Sequence, residues 1–437
     1  QVQNMAVPKN ASDPYLREWV KIPENPIMVP VNGINASSFR DPTTAWRGND
    51  GPMENLLWVI SRIAITREGP SFTQAKISFA GLKSSILSIP LKAQECGNAL
   101  IFILFLSLEI MELDNSVCAG SGPGLKHVLK VSLDDNRFEY YTVGTYFPNR
   151  DRYVPDDTSA DNKYGLRYDY GKFYASKTFF DYDKNRRILW GWINESDSVQ
   201  DDIAKGWSGV QAIPRTIWLD NVSKSRLMQW PVPELESLRE KKTYKDNIIL
   251  SSGSAFEITG LKAAQVDVEV SFTLPSFTGK KKMMEMDATF SAEQLCSQSG
   301  AASKSMGGPF GLLLLASKDL AEHTSVFFRV GLHQNEMKLL MCSDQSRSSL
   351  QADVDKTTYG SFVHFSMKKK SVSLRVLVDH SIVESFAEGG KTCITSRVYP
   401  TLAIGEDAHL FVFNNATSSV TATKLTAWDM GSTPPPG

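Results

Sequence analysis

The 437-residue sequence holds no apolar run long enough to cross a membrane as a helix; its one strongly apolar stretch, Asn98–Leu108 (NALIFILFLSL), falls far short of the ~20 residues required. It has no excess of either charge, since 47 Lys and Arg against 48 Asp and Glu leave a formal net charge of −1. That balance speaks against a role on nucleic acid or on an anionic membrane. Cysteine is scarce. Five residues, Cys96, Cys118, Cys296, Cys342 and Cys393, are too few for a disulfide-built scaffold, and the odd number leaves at least one thiol unpaired. The six His lack the spacing of a metal-ligand set, so neither a metal nor another cofactor is expected. No solenoid repeat is visible and helical periodicity is nearly missing. No signal peptide opens the chain. Its first residues, QVQNMAVPKN, read as the interior of a domain, as if an N-terminal part preceded them.

What is present is β-structure. KHVLKVSL (Lys126–Leu133), YYTVGTYF (Tyr140–Phe147), RILWGWIN (Arg187–Asn194) and RTIWLD (Arg215–Asp220) are short strand-like segments between Asp, Asn and Gly turns. Strands of this length predict an all-β propeller, barrel or sandwich. The best helical pattern is Pro231–Lys242, where Leu235 and Leu238 share a face after a Pro, and it predicts a helix linking two domains. Beyond it, AFEITGL, VDVEVSFTL, VFFRVGL, KLLMCS, VSLRVLVDHSIVESF and AHLFVFN alternate with period 2, the mark of strands with one face in a core and polar residues facing out. That pattern predicts a sandwich of two packed sheets over 243–430. The tail 431–437 contains STPPPG, which cannot pair in a sheet and is expected to be disordered. N-x-S/T sequons begin at Asn10, Asn35, Asn194, Asn221 and Asn415, and five of them favour a secreted protein.

The most informative motif is SSFRDPTTAW (Ser37–Trp46). Pro42 fixes the backbone after Asp41, and Arg40 keeps a neighbouring carboxylate ionised. Alone, R-D-P is common and usually structural. Its company changes the reading. VNGINASSFRDPTTAW (Val31–Trp46), LRYDYGKFYASKTFFD (Leu166–Asp181), NRRILWGWINESDS (Asn185–Ser198), DDIAKGWSGVQAIPRTIWLD (Asp201–Asp220) and VDHSIVESFAEGGKTCITSRVYP (Val378–Pro400) closely resemble plant members of glycoside hydrolase family 32, the invertases and fructan exohydrolases.

The resemblance implies a five-bladed β-propeller over 1–230, here incomplete, followed by the sandwich. It implies retaining hydrolysis of a terminal β-fructofuranosyl unit. One Asp is the nucleophile and a Glu the acid/base, about 5 Å apart. A third carboxylate, the Asp of R-D-P, stabilises the transition state; that role passes to Asp41, with Arg40 beside it on the sugar. The nucleophile belongs to a W-M-N-D-P-N-G block and the acid/base to a W-E-C-P-D block, and the 437 residues contain neither. Synonymous codons for Gln94–Phe105 exist that, in a shifted frame, spell G-M-W-E-C-P-D-F-Y-P-V. The same shift on Phe72–Gly81 permits Y-A-S-K-D-F-I-R-W, similar to a Y-R-S-K-D-F-x-x-W block of the family. These coincidences suggest that about 49–112 is translated out of frame. They also account for the isolated apolar run.

Further roles follow from the resemblance alone. Asp134 and Arg137 match a pair that holds the glucose unit of sucrose in invertases; a solvated turn is the competing reading. Asp169 and Tyr174 match residues lining the active-site funnel; a strand-edge turn and a core Tyr compete. Cys296 and Cys342 match a disulfide pair, and Cys393 would be a buried free thiol. The expected ligand is a small sugar, sucrose or a fructan, with a proteinaceous invertase inhibitor as a possible protein partner. A monomer secreted to the cell wall is expected, with the vacuole as the alternative. The functional alternatives are a fructan exohydrolase and a non-catalytic, invertase-like sugar-binding protein or fragment.

Overall fold

A computed structural model describes residues 4–27, 126–132, 136–147, 152–160, 165–275, 285–366 and 369–432, with Val2, Val29 and the backbone of short strand segments at 46–47, 56–57 and 109–112. The expectations for the tail beyond residue 432, for the apolar run and for nearly all of the suspected out-of-frame span lie outside the described residues. The protein is all-β, with the four sheets of a β-propeller arrangement followed by a β-sandwich. It divides into two compact units, 1–167 with the turns 182–185 and 221–226, and 168–181 with 186–220 and 227–437.

The first unit contains the ribbon β1 (Ala6–Pro8) and β2 (Trp19–Lys21), and the short pair β3 (Trp46–Arg47) and β4 (Leu56–Leu57). It also contains an antiparallel sheet ordered β5 (Glu109–Glu112), β6 (His127–Ser132), β7 (Glu139–Phe147) and β8 (Arg152–Pro155), with β9 (Leu166–Arg167) on β7. Inside that sheet Lys130 and Glu139 form a wholly buried ion pair at 3.0 Å, joined by Ser132.

The second unit opens with the last propeller sheet. Its order is β10 (Phe173–Asp181), β11 (Arg186–Ile193), β13 (Arg215–Leu219) and β14 (Leu227–Pro231), with β12 (Val210–Gln211) on β11. Between β11 and β12 lies α1 (Val199–Lys205). Ser198 and Asp201 form a capping box at its start, and Gly206, in the left-handed region, ends it.

The helix expected over 231–242 is corrected to a 3-10 turn, Pro233–Leu238, followed directly by strand. The spacing of Leu235 and Leu238 suits three residues per turn as well as it suits an α-helix. Arg239 is then drawn into sheet pairing because its guanidinium bonds Asp267 at 2.8 Å and Glu269 at 2.7 Å and lies 3.7 Å from the centre of the Trp428 ring.

The sandwich comprises two six-stranded sheets. One runs β15 (Arg239–Leu250), β26 (Val420–Met430), β17 (Gln265–Thr273), β22 (Ser371–Asp379), β23 (Ile382–Ala387) and β24 (Thr392–Arg397). The other runs β16 (Ser254–Glu257), β25 (His409–Asn414), β18 (Phe310–Ala316), β19 (Thr324–His333), β20 (Glu336–Asp344) and β21 (Tyr359–Val363). Alternate residues of β17 (Val266, Val268, Val270, Phe272) meet Phe310, Leu312, Val326 and Phe328 between the sheets. The outer face of the second sheet is covered by α2 (Ala292–Gln298), whose Cys296 is disulfide-bonded to Cys342 of β20. Hence β18 is buried on both faces, although antiparallel strands are often wet on one.

Candidate functional site

Arg40, Asp41, Asn35, Asp134, Cys96 and Cys118 lie outside the described residues. Arg137 is exposed, with a left-handed φ of 53°, in the turn joining β6 and β7. In the same turn Asn136 accepts the Phe138 amide, a local bond that stabilises the reversal. Tyr174, on β10, is buried, and its ring lies 6.5 Å from that of Trp192 on β11.

Asp169 has a different setting from the one the resemblance implied. Its side chain is fully buried, and both oxygens are engaged by the protein itself. Oδ1 accepts the amides of Gly171 at 2.8 Å and Thr395 at 2.9 Å. Oδ2 accepts the Thr395 hydroxyl at 2.8 Å and Arg215 Nη1 at 3.0 Å. Four donors from the protein itself thus meet the carboxylate. It works as a substitute backbone acceptor. Tyr170 and Lys172 donate their amides to the carbonyls of Cys393 and Thr395, so 168–172 runs along the outer edge of β24, and Asp169 takes the Thr395 amide between them. A free strand edge is thereby covered.

Arg215 is the hub of this region and went unnoticed in the sequence. It is fully buried. Nη1 also donates to Gln229 at 3.2 Å, and Nη2 donates to Glu384 at 2.7 Å and to the Thr395 hydroxyl at 2.8 Å. The rings of Phe173 and Phe386 flank its guanidinium at 4.3 and 4.9 Å. Burial alone would discharge Arg215, but Glu384 and Asp169 oppose that and hold its charge on. Burial pushes the Glu384 carboxyl up, while Arg215 and the Ile213 amide pull it down. Burial likewise pushes the Cys393 thiol up to about 12, so it carries no thiolate near neutrality and is chemically quiet. The available sequence signal was a Glu inside the apolar run IVESFA and an Arg just before TIWL. Each charge in such a position needs a buried partner.

A second charged group pins α1. Glu195 accepts the Gly209 amide at 2.7 Å, Arg397 Nε at 3.1 Å and the Tyr399 hydroxyl. Burial would raise the Glu195 carboxyl, but the Tyr399 bond, Arg397, Gly209 and Lys205 bring it below its ordinary value. Among the described residues, Glu195, Asp197 and Asp202 form the group close enough to surround a cation. The ammonium of Lys205 already lies there, 2.6 Å from Asp197, 2.6 Å from Asp202 and 3.5 Å from Glu195. The place a cation would take among these carboxylates is therefore held by the chain's own lysine.

The all-β architecture and the sugar-enzyme blocks define the class, a carbohydrate-active hydrolase. Comparison with known proteins gives the family. The N-terminal domain of glycosyl hydrolases family 32 matches residues 1–61 and 105–231, and the C-terminal domain of that family matches 234–429. The chain belongs to glycosyl hydrolase family 32. It is 48% identical over 438 residues to a beta-fructofuranosidase, insoluble isoenzyme 1, of Daucus carota, covering 98% of this chain and 72% of the relative. It is 49% identical over 440 residues to a fructan 6-exohydrolase of Beta vulgaris, covering 98% of this chain and 70% of that one. The crystal structure of fructan 1-exohydrolase IIa from Cichorium intybus superposes with a TM-score of 0.82 at 39% identity, covering 99% of this chain and 79% of that structure.

Proposed function

We propose that the protein hydrolyses terminal β-fructofuranosyl bonds, with sucrose as its substrate, by retaining double displacement on a five-bladed propeller. The observation that carries this reading is the match of both family domains across nearly the whole chain, joined to near 50% identity with a named beta-fructofuranosidase. Within it, Asp41 stabilises the charge that develops on the fructosyl ring, Arg40 keeps that carboxylate ionised, and Asp134 and Arg137 hold the leaving sugar. Asp169 acts from behind as part of the frame. The protein works as a secreted monomer in the cell wall; the relatives' names as insoluble isoenzymes support that location over the vacuole.

A second reading, fructan exohydrolase, is favoured by the equal identity to the Beta vulgaris enzyme and by the Cichorium intybus structure. Asp134 and Arg137 divide the two. If they hold the glucose unit, then in a version that carries both missing carboxylate blocks, replacing both with Ala lowers kcat/KM for sucrose at least tenfold and leaves that for a fructan nearly unchanged.

The out-of-frame reading of about 49–112 belongs to this proposal. It is supported by the interruption of the N-terminal family match between residues 61 and 105. The test is a sucrose-hydrolysis assay on two versions of the protein. The 437 residues as they stand are expected to release no fructose. A version carrying both missing carboxylate blocks, with the segment restored to the alternative frame, is expected to be active. Equal activity in both versions sinks the reading of the missing carboxylates. Inactivity in both favours a non-catalytic sugar-binding protein.

A further inference from the structure

Four of the five sequons lie among the described residues, and their surroundings differ sharply. Asn221 follows the last residues of β13 and opens the turn to β14. It is exposed, and nothing among the described residues bonds its amide nitrogen. The next residue, Val222, is 92% exposed. Asn10 is also exposed, in the loop between β1 and β2. Its Oδ1 accepts the Ser12 amide at 3.0 Å, which leaves Nδ2 facing outward chemistry.

The other two are closed. Asn415 spends the atom that would carry a glycan, because its Nδ2 donates to the Ala301 carbonyl at 2.8 Å. Its backbone amide donates to Pro309 at 2.7 Å, and Thr417 donates to Ser305 at 2.9 Å, so the sequon is stitched to the loop 300–309. Asn194 is half-buried beside the Glu195 network. The hydroxyl residue of its sequon, Ser196, is buried, and its amide donates to Tyr399 at 2.9 Å.

We infer that Asn10 and Asn221 carry N-linked oligosaccharides in the mature protein and that Asn194 and Asn415 do not. In the transfer, Asn Nδ2 bonds to the anomeric carbon of an oligosaccharide donated by a lipid diphosphate. The bond from that carbon to the diphosphate oxygen breaks, the lipid diphosphate leaves with the electron pair, and the amide proton passes to a base of the transferase. Transfer precedes folding, so the folded geometry acts afterwards as a filter. A sugar on Asn415 removes the Ala301 bond and places a bulky polar group where the loop 300–309 must close, and such chains fail to fold. A glycan on Asn221 displaces no bond of that side chain among the described residues.

The test is expression of the full-length protein through the secretory pathway of plant cells behind an appended signal peptide. Secreted protein is treated with a peptide N-glycosidase in heavy-oxygen water and mapped by mass spectrometry. The expected result is heavy-oxygen Asp at positions 10 and 221 in most molecules, with unmodified Asn at 194 and 415. Asn221→Gln is expected to remove one glycan from the gel mobility and to leave the melting temperature unchanged. A glycan on Asn415 in the secreted protein overturns the inference, as does a bare Asn221 or a chain with no glycan. The appended signal peptide keeps these outcomes separate from any failure of the proposed location, and the glycan map is read without any activity.

Discussion

Charged residues inside this protein are placed in opposed pairs and small clusters. Arg215 stands between Asp169 and Glu384 with no water-facing atom among the three side chains. Such a pair is a weak source of net stability, but removing one partner strands the others. Arg215→Met is therefore expected to cost about 3–5 kcal/mol in urea unfolding, because Asp169 and Glu384 then lie buried without a cation. Glu322 makes a different case. It accepts the amides of Leu350 at 3.0 Å, Leu402 at 2.6 Å and Ala403 at 2.9 Å, together with the amide and hydroxyl of Thr401. Burial pushes its carboxyl up, but these donors outweigh it and leave the folded value below the ordinary 4.5. A depressed carboxyl stabilises the fold fully above pH 4.5 and loses that contribution as the pH falls through the lower folded value. Glu322→Gln is expected to lower stability at pH 7 by about 1–3 kcal/mol and to flatten the acid limb of a melting-temperature profile below pH 4.5. An unchanged acid limb would show that other carboxylates govern it.

At the scale of elements, the edge of β24 decides how the last propeller sheet joins the sandwich. Segment 168–172 adds to that edge through the Tyr170 and Lys172 amides and the Asp169 carboxylate. Gly171 is required there for space. A Cβ on it would lie 1.9 Å from the Thr395 carbonyl oxygen, which is backbone and cannot step aside. Gly171→Ala is expected to destabilise the protein by about 1–3 kcal/mol, the usual cost of overpacking, read as a drop in melting temperature. A melting temperature equal to the parent's would mean that the edge strand shifts freely, against the bonding described. The same seam explains why charged residues sit on the outer face of the first sandwich sheet. Asp267, Arg375 and Glu384 alternate correctly with the core positions, yet all are buried, with Arg375 bonded to Asp267 at 2.8 and 3.0 Å.

For the whole molecule, the boundary between compact units falls between Arg167 and Tyr168, not at the turn before β15. The last propeller sheet shares a cluster with the sandwich, in which Leu377, Phe386 and Cys393 pack against Ile213, Trp230 and Met430. A fragment beginning at Tyr168 is therefore expected to unfold in a single transition. A fragment beginning at Arg239 exposes this apolar cluster and leaves Glu384 without Arg215; it is expected to melt at least 5 °C lower, a shift of ~2 kcal/mol for a chain of this size. Calorimetry on the two fragments checks this. A sandwich fragment as stable as the longer one would remove the energetic role given to the seam.

Period-2 alternation located seven of the twelve sandwich strands, β16, β17, β19, β20, β22, β23 and β25, because a half-buried sheet dictates which side chain points inward at each step, whereas β18, buried on both faces, has no such signal. The long blocks likewise determined the family, since their order of residues is read without knowing where any of them lies. Tertiary structure decided what neighbours each strand has, and with that the fate of its polar face. No spacing in the chain announces that Asp169 meets Thr395, 226 residues away, or that Arg215 reaches Glu384 across 169. The helix expected near residue 235 failed for the same reason. Its local pattern was ambiguous, and the partners of Arg239 on another strand settled where the sheet begins.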